Sequence, residues 1–547
     1  VIRYIRRNEF LEGTLPDVLF FLLLVGFLLP VWTLPFFPTL DAAGHVYNGF
    51  VLRDLLLGHQ DAYNGFFQIN SHWSPNWLSQ ILLSCLSTIF DPVNCERVVH
   101  SLYIVSFATG FRYLTRSLSA FSKYFSLLGF VFIYNYTFIL GFLNFNLSVA
   151  LCLWAMGVLH QVWDTPGRRN VVLLGLILII LYSSHLVGIV AFFVYLFAWL
   201  VVHLIEGIRQ GSVLILLKKR LMPVTFALAP AAILLLCYLM SDQEAGDYSY
   251  ISSSDIWKRL SMQAGLFCFE EPEWGFTRWN YYAVMAGWIM LPVFQFFGIA
   301  KNKSDVDQLK NWNQYTLVWL SFAAIIAVLA FYVPDSSTGG GGMLTIRFVF
   351  LSGMFAVVAL FSTLRHRVVL AASVIMVTFV SVDKVRFVYN KQAERGFYIE
   401  QIMNASEAIS EKGVLIFLDF RGGWLLGHYP KLLAAENKLV ALDNLGAHKP
   451  FSPVQWIEPL RKNDQQLCWV GNQWNCDPHD LDDRLQEQNI YILKWGEFEE
   501  RDSGAAVKER WNAFFERSCS LIHDDDQGMQ LYLSIPTKRG EVELEKF

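Results

Sequence analysis

The sequence predicts a polytopic α-helical membrane protein, about eleven transmembrane helices followed by a soluble C-terminal α/β domain, and three observations carry that expectation. Of 547 residues, 54% are apolar and 16% are charged, with a mean hydropathy of +0.37. Apolar runs recur from the N-terminal region to about Asp383, each near the ~20 residues that a helix needs to cross the hydrocarbon core. Beyond Asp383, charged residues become frequent and the apolar runs shorten.

The first apolar run, Pro16 to Phe37, is longer than a signal-peptide core and lacks a small-residue cleavage site, so it reads as a retained first helix. Arg3, Arg6 and Arg7 precede it and place the N-terminus in the cytoplasm. Later basic marks are Arg112, Arg116 and Lys123; Arg168 and Arg169; Arg209, Lys218, Lys219 and Arg220; Lys301, Lys303 and Lys310; and Arg365 and Arg367. Spans alternate between these marks if they run 16–37, 97–112, 124–140, 142–162, 170–184, 186–206, 221–241, 281–299, 314–333, 345–363 and 367–383. That pattern leaves the C-terminus external. It also requires the apolar segment Trp77 to Phe90 not to cross, but to lie along the interface or re-enter.

Residues 39–96 then form one external loop. Val46, Phe50, Val51, Leu55 and Leu56 recur at helical spacing among Asp41, His45, Asn48 and Asp54, which describes an amphipathic helix. A second external loop, Asp242 to Asn280, is acidic and includes Glu270 and Glu271. A third, Val333 to Met343, holds four consecutive glycines just before Arg347, a backbone free to approach a ligand.

The domain organisation is therefore 1–383 in the membrane and 384–547 outside it. Runs such as Val414–Leu418, Leu439–Leu442, Ile490–Leu493 and Met529–Leu533 read as strands, and about 160 residues suffice for an independent core. No long Gly/Ser linker separates this domain from the last helix, so it is expected to pack on the external loops. Cys468 and Cys476 are placed outside, where a local disulfide is open to them. Zinc is disfavoured because no paired Cys or His spacing accompanies them. A net charge of −4 and no basic stripe exclude nucleic acid as a partner.

Two groups of residues stand out chemically. Asp41 and His45 lie four apart where the chain leaves the first span, on one face if that stretch is helical. Arg347 sits just inside an apolar helix, where a guanidinium is costly unless paired. Asp335, Glu271 or the interface itself could satisfy it, and its fork equally suits phosphate oxygens. Asp41 could equally cap the helix that begins there. Asp41 and His45 are candidate ligands for a divalent ion, although a lone Asp-x-x-x-His pair specifies none.

A cytoplasmic N-terminus, one helix, a large first external loop opening on an acidic residue, about eleven spans and an external C-terminal domain resemble the GT-C superfamily of integral-membrane glycosyltransferases. The residues that carry this likeness are Asp41, the Gly141-Phe-Leu-Asn-Phe-Asn146 segment, Ser183-Ser-His185 and the glycine-rich approach to Arg347. It is strongest for bacterial members with short motifs. The tripeptide and acidic-pair motifs of oligosaccharyltransferases and protein mannosyltransferases are absent, and no acidic residue adjoins Asp41.

The resemblance implies a bacterial cytoplasmic-membrane enzyme with a periplasmic domain. Its donor is a sugar on polyprenyl phosphate, its transfer is inverting, and its acceptor is a glycan, lipid or protein; no nucleotide cofactor is expected. Asp41 is then the candidate general base, facing the acceptor, and Arg347 the contact to donor phosphate. His45, His72 and His185 are candidate phosphate contacts, and Asn144 and Glu271 candidate substrate contacts. For Asn144 and Asn146, helix capping is the competing reading, and for Glu270 and Glu271 a solvated acidic loop. A non-catalytic lipid-binding or scaffolding subunit shares the layout. A secondary transporter fits less well, because no inverted pair of Gly/Pro-broken helices is present.

Overall fold

The computed structural model describes residues 14–59, 63, 65–116, 122–211, 213, 216–240, 247–262, 303–337, 342–362, 367–420, 426–457, 485, 488–496, 505–525 and 528–535. Its principal helices are α1 Leu15–Thr33, α2 Ala42–Leu56, α3 Leu78–Leu86, α4 Pro92–Thr115, α5 Leu143–Asp164, α6 Arg168–Ser184 and α7 Leu186–Arg209. They continue with α8 Met222–Met240, α9 Ser253–Met262, α10 Lys303–Tyr332, α11 Leu344–Phe361, α12 Arg367–Asn404, α13 Pro430–Asn437 and α14 Ala505–Ser518. The chain divides into two compact units, residues 1–30 with 101–389, and residues 31–100 with 390–547.

The first unit is helical. Among the described residues, five helices are long and apolar enough to cross a membrane: 15–33, 143–164, 186–209, 218–240 and 315–332. Shorter apolar helices run 123–133 and 344–359. Phe21, Leu22, Phe226 and Leu239 point outward, as lipid-facing side chains do when hydrocarbon replaces water. The expected span 281–299 lies outside the described residues, as do Glu271, Cys468 and Cys476.

The expected single helix over 124–140 is broken. Helical pieces at Ser122–Phe125, Ser126–Leu128, Gly129–Ile133 and Tyr136–Ile139 are separated at Asn135. The buried Asn135 caps the last piece by accepting from Phe138 N and donates its own amide to Phe132 O and Tyr103 Oη. An amide that satisfies backbone groups on both sides stabilises the break. Gly141, at φ +69°, then turns the chain into α5, a conformation that glycine adopts freely.

The second unit joins the segment after the first helix to the C-terminal residues. Its main sheet is built from β2 Val414–Asp419, β3 Val440–Ala441, β5 Ile490–Trp495, β6 Ser520–Asp524 and β7 Met529–Ser534 in the order β3-β2-β5-β7-β6. The strands β3, β2 and β5 are parallel, and β7 is antiparallel to both β5 and β6. Every residue of β2 and β5 is buried, as expected for parallel strands covered on both faces. A separate antiparallel pair links β1 Phe67–Ile69 to β4 Val454–Trp456. The segment Trp77 to Phe90 contains only the nine-residue α3, about 14 Å at 1.5 Å per residue, too short to cross a bilayer.

Candidate functional site

Within the second unit, the turn into α2 meets the turn into α13. Asp41 occupies the N-cap of α2 but makes no side-chain capping hydrogen bond. Its carboxylate, 36% exposed, lies 3.5 Å from His428 Nε2. Helix capping, the competing reading of Asp41, is therefore not the job its carboxylate does.

His428 lies in the turn that precedes α13, on the carboxyl-end side of β2. On its other ring nitrogen, Nδ1, it accepts from Lys431 Nζ at 3.1 Å. Lys431 is buried and ion-paired with Asp443, which follows β3 by two residues. Thus Asp443, Lys431, His428 and Asp41 form a continuous polar chain beyond the carboxyl ends of the parallel strands, where open α/β sheets gather their ligands. Lys431 occupies the Nδ1 lone pair, which assigns the ring proton to Nε2, on the Asp41 side. Burial foremost, then Lys431 and His45, hold the His428 ring well below the ordinary imidazole value, so the ring is neutral.

His45 is one turn along α2. Its Nδ1 is 2.8 Å from Gln80 Nε2 and 3.4 Å from Ser79 Oγ, both on α3. The helix is fixed against the sheet edge by Tyr47, which donates to Leu439 O and accepts from Ala441 N. Asn48 and Asn444 exchange reciprocal amide hydrogen bonds at 3.2 and 2.9 Å. Before Asp41, Thr39 N donates to Tyr429 Oη, and that hydroxyl donates to Glu96 Oε1 at 2.9 Å. Burial raises the Glu96 carboxyl to about 8.

His72 is exposed, and its Nδ1 is 3.1 Å from Ser71 Oγ; no hydrogen bond or ion pair described in the structure joins it to Asp41. Among the described residues, no group of three or more His, Cys, Asp and Glu side chains is arranged to hold a metal ion. Asp41 and His45 offer two donors and the Lys431 ammonium stands behind His428, so among the described residues the set does not fit a divalent site and no step is derived through one.

A second cluster lies in the first unit. Arg347, on the first turn of α11, is 7% exposed. Its Nη1 is 2.5 Å from His185 Nε2, and its guanidinium lies 4.3 Å above the Phe142 ring and 5.4 Å from that of Phe145. His185 caps α7 by accepting from Val187 N on Nδ1 at 3.1 Å. Two donors thus converge on a neutral ring that has one lone pair to give. Asp335, a proposed alternative partner of Arg347, instead accepts from Thr345 N and faces Arg259 at 3.6 Å.

Asn144 is buried, and its main-chain carbonyl accepts from Ser184 Oγ at 2.7 Å, tying the start of α5 to the end of α6 beside His185. Asn146 bonds Thr137 and the Phe142 carbonyl, a structural role. The structure therefore brings His185, Arg347 and the Phe142–Phe145 turn together, and separately brings Asp41 and His45 to His428 and Lys431. Sequence reasoning did not find the last two. The only signal for them was a His-x-x-Lys spacing at the entry to a helix in a βαβ unit.

No family model matches the chain, and no curated protein matches it. Among solved structures it is similar to the crystal structure of ArnT from Cupriavidus metallidurans bound to undecaprenyl phosphate, with 9% identity, a TM-score of 0.41, and coverage of 95% of this chain and 98% of that one. A likeness at this level transfers no residue role.

Proposed function

We propose that this protein is a GT-C-type membrane glycosyltransferase that moves a sugar from a polyprenyl-phosphate-linked donor to an acceptor hydroxyl on the external face. The observation that carries the reading is the carboxylate of Asp41, placed at a helix start without capping it and faced by a neutral histidine. In the reaction, Asp41 takes the acceptor proton while the acceptor oxygen attacks the anomeric carbon with inversion. The bond from that carbon to the phosphate oxygen breaks, and the lipid phosphate leaves with the electron pair.

Arg347 is assigned to the lipid phosphate. Its burial on the first turn of α11 and the planar fork of its guanidinium, which suits phosphate oxygens, support this. The orientation that accompanies this function has the N-terminus in the cytoplasm and residues 31–100 and 390–547 outside.

The test uses undecaprenyl-phosphate-linked pentose and hexose donors, labelled in the sugar, with membrane extract as acceptor. Asp41→Asn is expected to lose transfer by roughly 100- to 10,000-fold while retaining expression and undecaprenyl phosphate binding. Transfer unchanged in Asp41→Asn removes the general-base assignment. Lipid binding without transfer in the wild type supports a non-catalytic lipid-binding subunit instead.

A further inference from the structure

We infer that His428 is a positioning residue for Asp41, holding its carboxylate with the Nε2 proton while Lys431 and Asp443 fix the ring from behind. This rests on the reading of Asp41 as the base. The geometry gives the ring one available role. With Nδ1 filled by the Lys431 ammonium, His428 has no lone pair left to take up a proton, so it is not itself the base. What it offers is a single N–H, 3.5 Å from Asp41 Oδ1. Contacts of this kind are often long before substrate binds and shorten afterwards.

The supporting structure is set up to keep that N–H on target. Lys431, 2% exposed, is paired with Asp443, and breaking a buried ion pair is costly. That pair fixes the ring's tautomer as well as its place. The next residue, Tyr429, bonds Thr39, two residues before Asp41. His428 and Tyr429 therefore tie the same two backbone stretches together side by side. The charged and titratable groups around the ring are Asp41 and His45 from α2, Lys431 from α13 and Asp443 after β3, with Glu96 from α4 reaching the adjacent Tyr429.

A hydrogen bond donated to a carboxylate favours its charged form. Its loss therefore moves the Asp41 titration up, and its replacement by another donor moves it back. The side-chain amide of glutamine reaches the position of imidazole Nε2, whereas that of asparagine reaches only Nδ1. These substitutions keep a polar group in the site and separate position from mere polarity.

The experiment measures carbodiimide labelling of Asp41 against pH in the purified full chain, resolved by peptide mass spectrometry, since only the protonated carboxyl reacts. The labelling midpoint is expected to rise by about one pH unit in His428→Ala and His428→Asn and to return toward the wild-type value in His428→Gln. With the donors named above, His428→Ala is expected to lose about tenfold in kcat at unchanged KM, and His428→Gln to recover most of it. A midpoint that stays put in His428→Ala, or His428→Gln and His428→Asn that behave alike, overturns the inference. The base assignment fails separately, through an active Asp41→Asn, whatever the midpoint does.

Discussion

Glu96 shows how much a single buried carboxyl can bias this fold. Burial outweighs the hydrogen bond from Tyr429 and the nearby Arg97, and raises it to about 8. With the folded value above the unfolded one, its contribution to stability is fully present below the unfolded carboxylate range and is lost as pH rises toward 8. Glu96→Gln imitates the neutral form. It is expected to match the wild type in thermal unfolding near pH 4.5 and to exceed it at pH 8; equal melting at both pH values contradicts a buried neutral Glu96. At the other cluster, Arg347→Lys keeps the charge but loses the planar fork. It is expected to weaken undecaprenyl phosphate binding by roughly 10- to 100-fold in equilibrium binding to purified protein, and an unaltered affinity removes Arg347 from the phosphate assignment. Asp41 and Arg347 were legible in the sequence because a charge at the edge of an apolar run is conspicuous. His428, Lys431 and Asp443 were not. They sit among many polar residues of a soluble segment, and only the return of the chain to α2 gives them a shared environment.

At the scale of elements, α2 and α3 run side by side and in the same direction. His45 faces Ser79 and Gln80, Gly49 faces Leu83, and Arg53 reaches the Ser87 carbonyl. The contact is tight at Gly49, where an added Cβ would stand 2.5 Å from Leu83 Cβ and 3.2 Å from its carbonyl carbon. Gly49→Ala must push the helices apart, an overpacking cost of about 1–3 kcal/mol. It is expected to lower the thermal midpoint and, by displacing Gln80 from His45, to disturb the polar end of the same pair. A variant as stable as the wild type shows that the helices can separate without cost. Helical spacing announced α2, and the alternation of basic loops argued against a crossing at Trp77 to Phe90, where the structure has only the nine-residue α3. The break at Asn135 was not announced, because an apolar stretch with one asparagine looks like a span until Asn135 is seen bonding the backbone on both sides of it.

At the scale of the whole molecule, the packing of residues 31–100 with 390–547 constrains how the chain threads the bilayer. Strand β1 pairs with β4, Tyr47 bonds the β3 edge, and Asn48 and Asn444 exchange hydrogen bonds. Segments so joined lie on one side of a membrane, because backbone pairing cannot cross hydrocarbon. The chain between them must therefore cross an even number of times. If α1 is one further crossing, the proposed topology has an odd total. The proposed orientation takes its sign from the charge pattern, with Arg168 and Arg169 in the cytoplasm and the second unit outside. Single cysteines test both statements in a background where all eight native cysteines are serine. His59→Cys and Lys412→Cys are expected to react alike with a membrane-impermeant maleimide in intact cells, and Thr165→Cys only after permeabilisation. Opposite behaviour at His59 and Lys412 contradicts the parity. Like behaviour with the sides exchanged keeps the parity and reverses the orientation, which would put Asp41 and His428 on the cytoplasmic face and remove the external acceptor from the proposed reaction.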